Sequence, residues 1–136
     1  MTPTYRTDTE TFTYHNENPK HLKSAGDCVI RAIAYATRIG WDETLGSLYK
    51  IGFKMKRLPN DDKVFEQYLS NLGYSKQSQP RKPDNTKYTV KEFAKKYPKG
   101  TYIVRMAGHL SVVDNGKIID TWNCGYKCVG NYWKIR

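Results

Sequence analysis

A chain of 136 residues holds material for one compact core, and the reading is a single domain over 1–136. Aromatic residues make up 13% of it, Tyr alone filling 11 positions, which excludes the composition of a disordered chain. A formal net charge of +10 favours polyanionic or acidic partners without specifying any of them.

The N-terminus lacks the apolar run of a signal peptide, and no window approaches the ~20 apolar residues of a membrane span. The expectation is a soluble protein with no membrane partner, cytoplasmic, and in the host-cell cytoplasm if phage-encoded. Three cysteines, an odd number, suit reduced thiols better than a disulfide framework.

Residues 1–20 read as a short edge strand around "TFTY" followed by a loop to Pro19. The stretch "SAGDCVIRAIAYAT" predicts a helix from Cys28 to near Gly40, with Asp27 as N-cap and Val29, Ile30, Ile33, Ala34 and Ala36 on its buried face. A second helix is capped by Asp42 and carries Leu45, Leu48 and Tyr49. A third starts after Asn60, carries Val64, Phe65, Tyr68, Leu69 and Leu72, and stops at Gly73. Residues 74–87 form a surface loop. Thr89 and Glu92 make a capping box that opens a short helix through Tyr97, halted by Pro98 and Gly100. Strand-forming segments follow: "TYIVRM", "HLSVV", "KIID" and "NYWKI". A helical part at 26–98 and an antiparallel sheet at 101–136 make the fold class α+β.

Cys28 sits in the first turn of its helix, where unpaired N–H groups and the positive end of the macrodipole favour a thiolate, although Asp27 beside it acts in the opposite sense. Asn115-Gly116 is the preferred pair for a two-residue hairpin turn. It matches Asp114 with Lys117, and counting outward sets Ser111 against Asp120 and His109 against Trp122. His109, Ser111, Asp120 and Trp122 then share one side of the sheet, with His109 and Asp120 diagonal neighbours. A carboxylate on one imidazole nitrogen fixes the tautomer that lets the other take a thiol proton, and Trp122 covers that bond from water.

At these residues the chain resembles the papain-like cysteine peptidase superfamily. A cysteine heads the first long helix, a later strand begins with histidine, and the following strand carries an acidic residue. The segment Asp120-Thr121-Trp122 looks like the family's Asn-Ser-Trp. The "GDC" start and the small size are closer to bacterial and bacteriophage members, including the bacteriocin-processing branch. The resemblance implies a papain-like fold and a hydrolase of peptide, isopeptide or other amide bonds, with nucleophile Cys28, general base His109 and orienting Asp120. It calls for no cofactor and no metal. The family's oxyanion glutamine falls at Leu22 here, so the donors assigned are the Cys28 N–H together with Asn18 or Asn16.

The alternative is a bacterial or phage-type binding protein on the same scaffold, capturing a nucleotide, nucleic acid or acidic host protein through a basic face. Residues 76–99 hold eight Lys or Arg against Asp84 and Glu92, and Arg81, Lys82, Lys87, Lys91, Lys95 and Lys96 define that face. The bland reading of each feature is a structural cysteine, a sheet histidine and a solvated lysine surface. Cys124 and Cys128 with His109 fall short of a zinc signature, because no second C-x3-C pair matches the first. His15 and His21 belong to exposed loops. Tyr97, Tyr102, Tyr126, Tyr132 and Trp133 belong to the core or the sheet faces.

Overall fold

A computed structural model describes residues 6–136; the opening residues 1–5 of the N-terminal segment lie outside the described residues. The hairpin turn organises the sheet. Asn115 and Gly116 both take positive φ, 48° and 79°, the conformation a two-residue turn of the right twist requires. The turn joins β3 (His109–Asp114) to β4 (Lys117–Asp120), in the expected register of Asp114 with Lys117 and Val112 with Ile119. β2 (Thr101–Met106) lies antiparallel on the other side of β3, and β5 (Asn131–Lys134) antiparallel beside β2. β1 (Phe12–Tyr14) is an edge strand as expected, but it pairs with β4 in parallel, so the five-stranded sheet, in order β1-β4-β3-β2-β5, is mixed.

Alternation along the strands splits the core in two. Ile103, Leu110, Val112 and Trp133 pack against α1 (Cys28–Thr37), α2 (Trp41–Met55) and α3 (Asp62–Asn71). Tyr102, Val104, Val113 and Ile118 pack on the opposite face against α4 (Val90–Lys96). The fold is therefore α+β, with the helices divided unequally across the sheet. On the α4 face the rings of Phe93, Tyr97, Tyr102 and Tyr132 form one aromatic cluster, whereas Tyr126 is 71% exposed and outside the core expected for it.

Helix starts show where local signals and packing part company. α4 carries the full reciprocal capping box of Thr89 and Glu92, and α3 is capped by Asp61, whose carboxylate accepts from the Lys63 N–H at 2.8 Å. α2 begins two residues earlier than read, with Gly40 at the N-cap, which leaves Asp42 in the first turn where its charge still suits the macrodipole. The buried seam of α2 is Thr44, Leu48 and Gly52, spaced by four. Leu45 and Tyr49 fall one step round the helix, Leu45 half-buried and Tyr49 exposed. A Cβ on Gly52 would lie 2.4 Å from the Arg57 carbonyl oxygen, so the seam closes only around glycine. Leu72 lies just past α3 and is exposed. The 74–87 loop is pinned to the sheet by a bridge between Gln77 and Tyr132. No described helix is long and apolar enough to cross a membrane.

Candidate active site

α1 begins at Cys28 without a side-chain cap. Asp27 holds the N-cap position, but its carboxylate turns away from the helix. Oδ2 accepts from the Asn18 amide at 3.0 Å and from the Trp41 indole at 2.8 Å, and Oδ1 is ion-paired with Arg31. Burial pushes the Asp27 carboxyl upward, and those bonds together with the Arg31 charge outweigh it, holding the group below its ordinary value. The expected N-cap role is thus replaced by a buried charge network. The first-turn N–H groups of α1, that of Cys28 among them, are left without a side-chain acceptor.

The open end of the β3–β4 hairpin supplies the rest. The ladder ends at Val112 and Ile119, yet the side chains beyond it meet as the register implied. His109 Nε2 lies 2.6 Å from Asp120 Oδ2, the Ser111 hydroxyl donates to the same oxygen at 2.6 Å, and Trp122 stacks edge-on against the imidazole at 4.8 Å. The other oxygen, Oδ1, accepts from the Thr121 N–H at 2.7 Å and has Arg31 Nη2 at 3.8 Å. With Nε2 occupied by the carboxylate, Nδ1 is the nitrogen left to face a thiol.

Cys28 is half-buried. Burial raises its pKa, and hydrogen bonding and charge from His109, the Leu110 backbone and the Arg31 charge overcome that and lower it. Burial likewise opposes charge on His109, but its bonds to Asp120, Cys124 and Cys28 push the imidazole up to about 11. Both shifts run in the direction of proton transfer from thiol to imidazole.

Cys28 and His109 both line a cleft of about 210 Å³ whose walls are Val29, Phe65, Met106 and Leu110. Arg105, ion-paired with Asp62, and Asn60 add polar groups to it. Behind the thiol, a cavity of about 10 Å³, room for one water, is bordered by Arg31, Tyr35, Ser111 and Asp120. His15, expected in an exposed loop, is partly buried on that side, its ring 5.3 Å from Tyr35.

Cys28, His109, Asp120 and Trp122 are therefore brought together. Asn18 is not part of the group. Its amide nitrogen donates to Asp27 and its oxygen accepts from the Lys20 N–H, so it braces the N-cap residue. Asn16 bonds the Leu22 carbonyl and the Asn18 N–H in the same loop, and Leu22 itself is 50% exposed. The basic face is also reduced: Lys82 is paired with Glu92, and Arg81 donates to the Asn85 carbonyl and to Gln79. Lys87, Lys91, Lys95 and Lys96 stay exposed, the last three on α4, across the sheet from α1.

One contributor went unread in the sequence, and another was weighed there only as a zinc ligand beside Cys128. Arg31 stands four residues after Asp27, an i,i+4 pairing that helix spacing offers openly. Cys124 is fully buried with Sγ 3.9 Å from Asp120 Oδ2, a contact that no local pattern announces. His109, Asp120 and Cys124 place one donor each within 4.8 Å of one another, a donor set that zinc accepts. Nε2 and Oδ2 at 2.6 Å are nevertheless at hydrogen-bond distance, closer than the roughly 3.3 Å that separates two such ligands on one tetrahedral ion. Cys128 is exposed and outside this cluster. No family model, curated protein or solved structure matches the chain.

Proposed function

We propose that the protein is a small papain-like thiol hydrolase acting on a peptide, isopeptide or related amide bond. The observation that carries this reading is the convergence of a thiol at the head of α1 with an imidazole whose far nitrogen is held by a carboxylate at 2.6 Å. Cys28 Sγ attacks the carbonyl carbon, and the Cys28 N–H donates to the oxyanion that forms. His109, carrying the thiol proton, returns it to the leaving nitrogen as the carbon–nitrogen bond breaks. Water, deprotonated by the same imidazole, then attacks the thioester and releases the acid together with the free thiol. Asp120 holds the ring in the required tautomer throughout, and Trp122 screens their bond. The order of parts, a thiol on the first long helix and imidazole and carboxylate on consecutive strands, supports the papain-like assignment.

The test is acylation of the full chain by an activated ester, read by mass spectrometry. Wild type is expected to accumulate and then turn over a single acyl group on Cys28, and Cys28→Ala to accept none while keeping its circular dichroism spectrum. A wild-type protein that is never acylated, or that is acylated equally at the exposed Cys128, would overturn the hydrolase reading. The exposed lysines of α4 and Lys87 would then carry the function, as a surface for an acidic partner.

A further inference from the structure

The geometry points to Arg31 as a positioning residue of the proposed hydrolytic site: one guanidinium clamps the two carboxylates that flank the thiol and imidazole, Asp27 beside Cys28 and Asp120 behind His109. This inference rests on the hydrolase reading. Arg31 lies three residues after Cys28 and four after Asp27, so all three share the start of one helix face. Its side chain is 13% exposed. Nη1 pairs with Asp27 Oδ1, while Nη2 lies 3.8 Å from Asp120 Oδ1 and donates to the Thr121 hydroxyl at 3.5 Å.

Each end of the clamp has a chemical consequence. Asp27 is the nearest residue to the thiol along the chain, and an uncompensated carboxylate there would oppose the thiolate. Arg31 cancels that charge where water reaches it poorly. At the other end Nη2 faces the Asp120 oxygen that His109 does not use, which steers the carboxylate and leaves Oδ2 for the imidazole. The remaining charged groups near the thiol do not do this work. Glu17 is bonded to His15, Tyr35 donates to Asp114, and across the cleft Asp62 and Arg105 neutralise each other.

The test measures the rate of Cys28 alkylation by iodoacetamide against pH, with the labelled residue identified by mass spectrometry. Arg31→Met is expected to move the midpoint of that profile up by about one pH unit, an approximately tenfold slower reaction on its acid side. Adding Asp27→Asn to it should return the midpoint towards wild type, and Arg31→Lys, which keeps the charge without the fork, should fall between. A midpoint unmoved by Arg31→Met, or a shift that Asp27→Asn does not relieve, would show that Arg31 only packs. Should Arg31→Met fail to fold, the comparison passes to the double variant, which buries no uncompensated carboxylate, and to Arg31→Lys. A double variant at the wild-type midpoint with the lysine variant above it supports the clamp, and a double variant shifted as far as the lysine one overturns it. A wild-type midpoint at the ordinary thiol value of about 8.5 removes the hydrolase reading and the clamp together, whereas a depressed midpoint that Arg31→Met leaves in place removes the clamp alone.

Discussion

Asp120 shows how much one side chain has been asked to do. Its two oxygens receive His109, Ser111 and the Thr121 N–H, with Arg31 close by, so the carboxylate is held from several directions. Part of the upward shift on His109 comes from this carboxylate. Replacing Asp120 by Asn removes the charge and turns an amide NH₂ towards groups that are themselves donors. We expect Asp120→Asn to lower the His109 pKa from about 11 towards its ordinary 6.5, because the imidazolium loses its counter-charge. The alkaline limb of the pH–rate profile for ester turnover should then move to lower pH, and the maximal rate should fall by about 10² or more. An alkaline limb that stays in place would show that Asp120 does not support the charged imidazole. This residue, with His109 and Trp122, was legible in the sequence because a two-residue turn sets a register that can be counted outward. Asn18 was misassigned for the complementary reason. Its role depends on Asp27 declining to cap its own helix, and that choice is made by Trp41 and Arg31 through tertiary packing.

Among the elements, those whose ends carry their own chemistry were read well. α4 is the clearest case, since the capping box at Thr89 and Glu92 needs nothing from the rest of the chain. Thr89→Ala should therefore cost about 1 kcal/mol in urea unfolding. Alkylation of Cys28 should be unaffected, because Cys28 packs on the α1 face of the sheet and α4 approaches the site only through the apolar cluster it shares with Trp122. A stability loss accompanied by a changed alkylation rate would mean that the two faces are coupled through the strands. Where an element is placed by distant partners, local signals fail. The parallel pairing of β1 with β4 joins segments about a hundred residues apart, and no turn between them records its direction. On α2 the seam is set by where α1 and α3 press against it, which buries Leu48 and leaves Tyr49 exposed, although both are apolar and adjacent.

Across the whole molecule, charge is divided between surface and site. The exposed lysines of α4 lie across the sheet from α1, and the charged groups around the thiol are largely paired: Asp27 with Arg31, Asp62 with Arg105, His109 with Asp120. Two of these groups make stability depend on pH in opposite directions. Asp27 has a folded-state pKa below its ordinary 3.8, so the stability it contributes is present above that value and is lost as acid titrates the carboxylate. His109 has a folded-state pKa of about 11, so its contribution is complete below its unfolded value of 6.5 and declines as pH rises towards 11. Tyr35, raised to about 12 by burial and by Asp114, adds to the loss only above its own ordinary value of 10. Cys28, whose lowered pKa adds stability as pH rises to its ordinary 9.0 and no further, cancels much of the imidazole's decline up to that value, so the loss that belongs to His109 should show between pH 9 and 10. Urea unfolding of wild type and His109→Gln across that interval should give a falling curve for the first and a flatter one for the second, with the gap between them narrowing as pH rises. Two parallel curves would mean that the imidazole is not held charged in the native state, and the thiolate–imidazolium pair on which the chemistry depends would have to be abandoned.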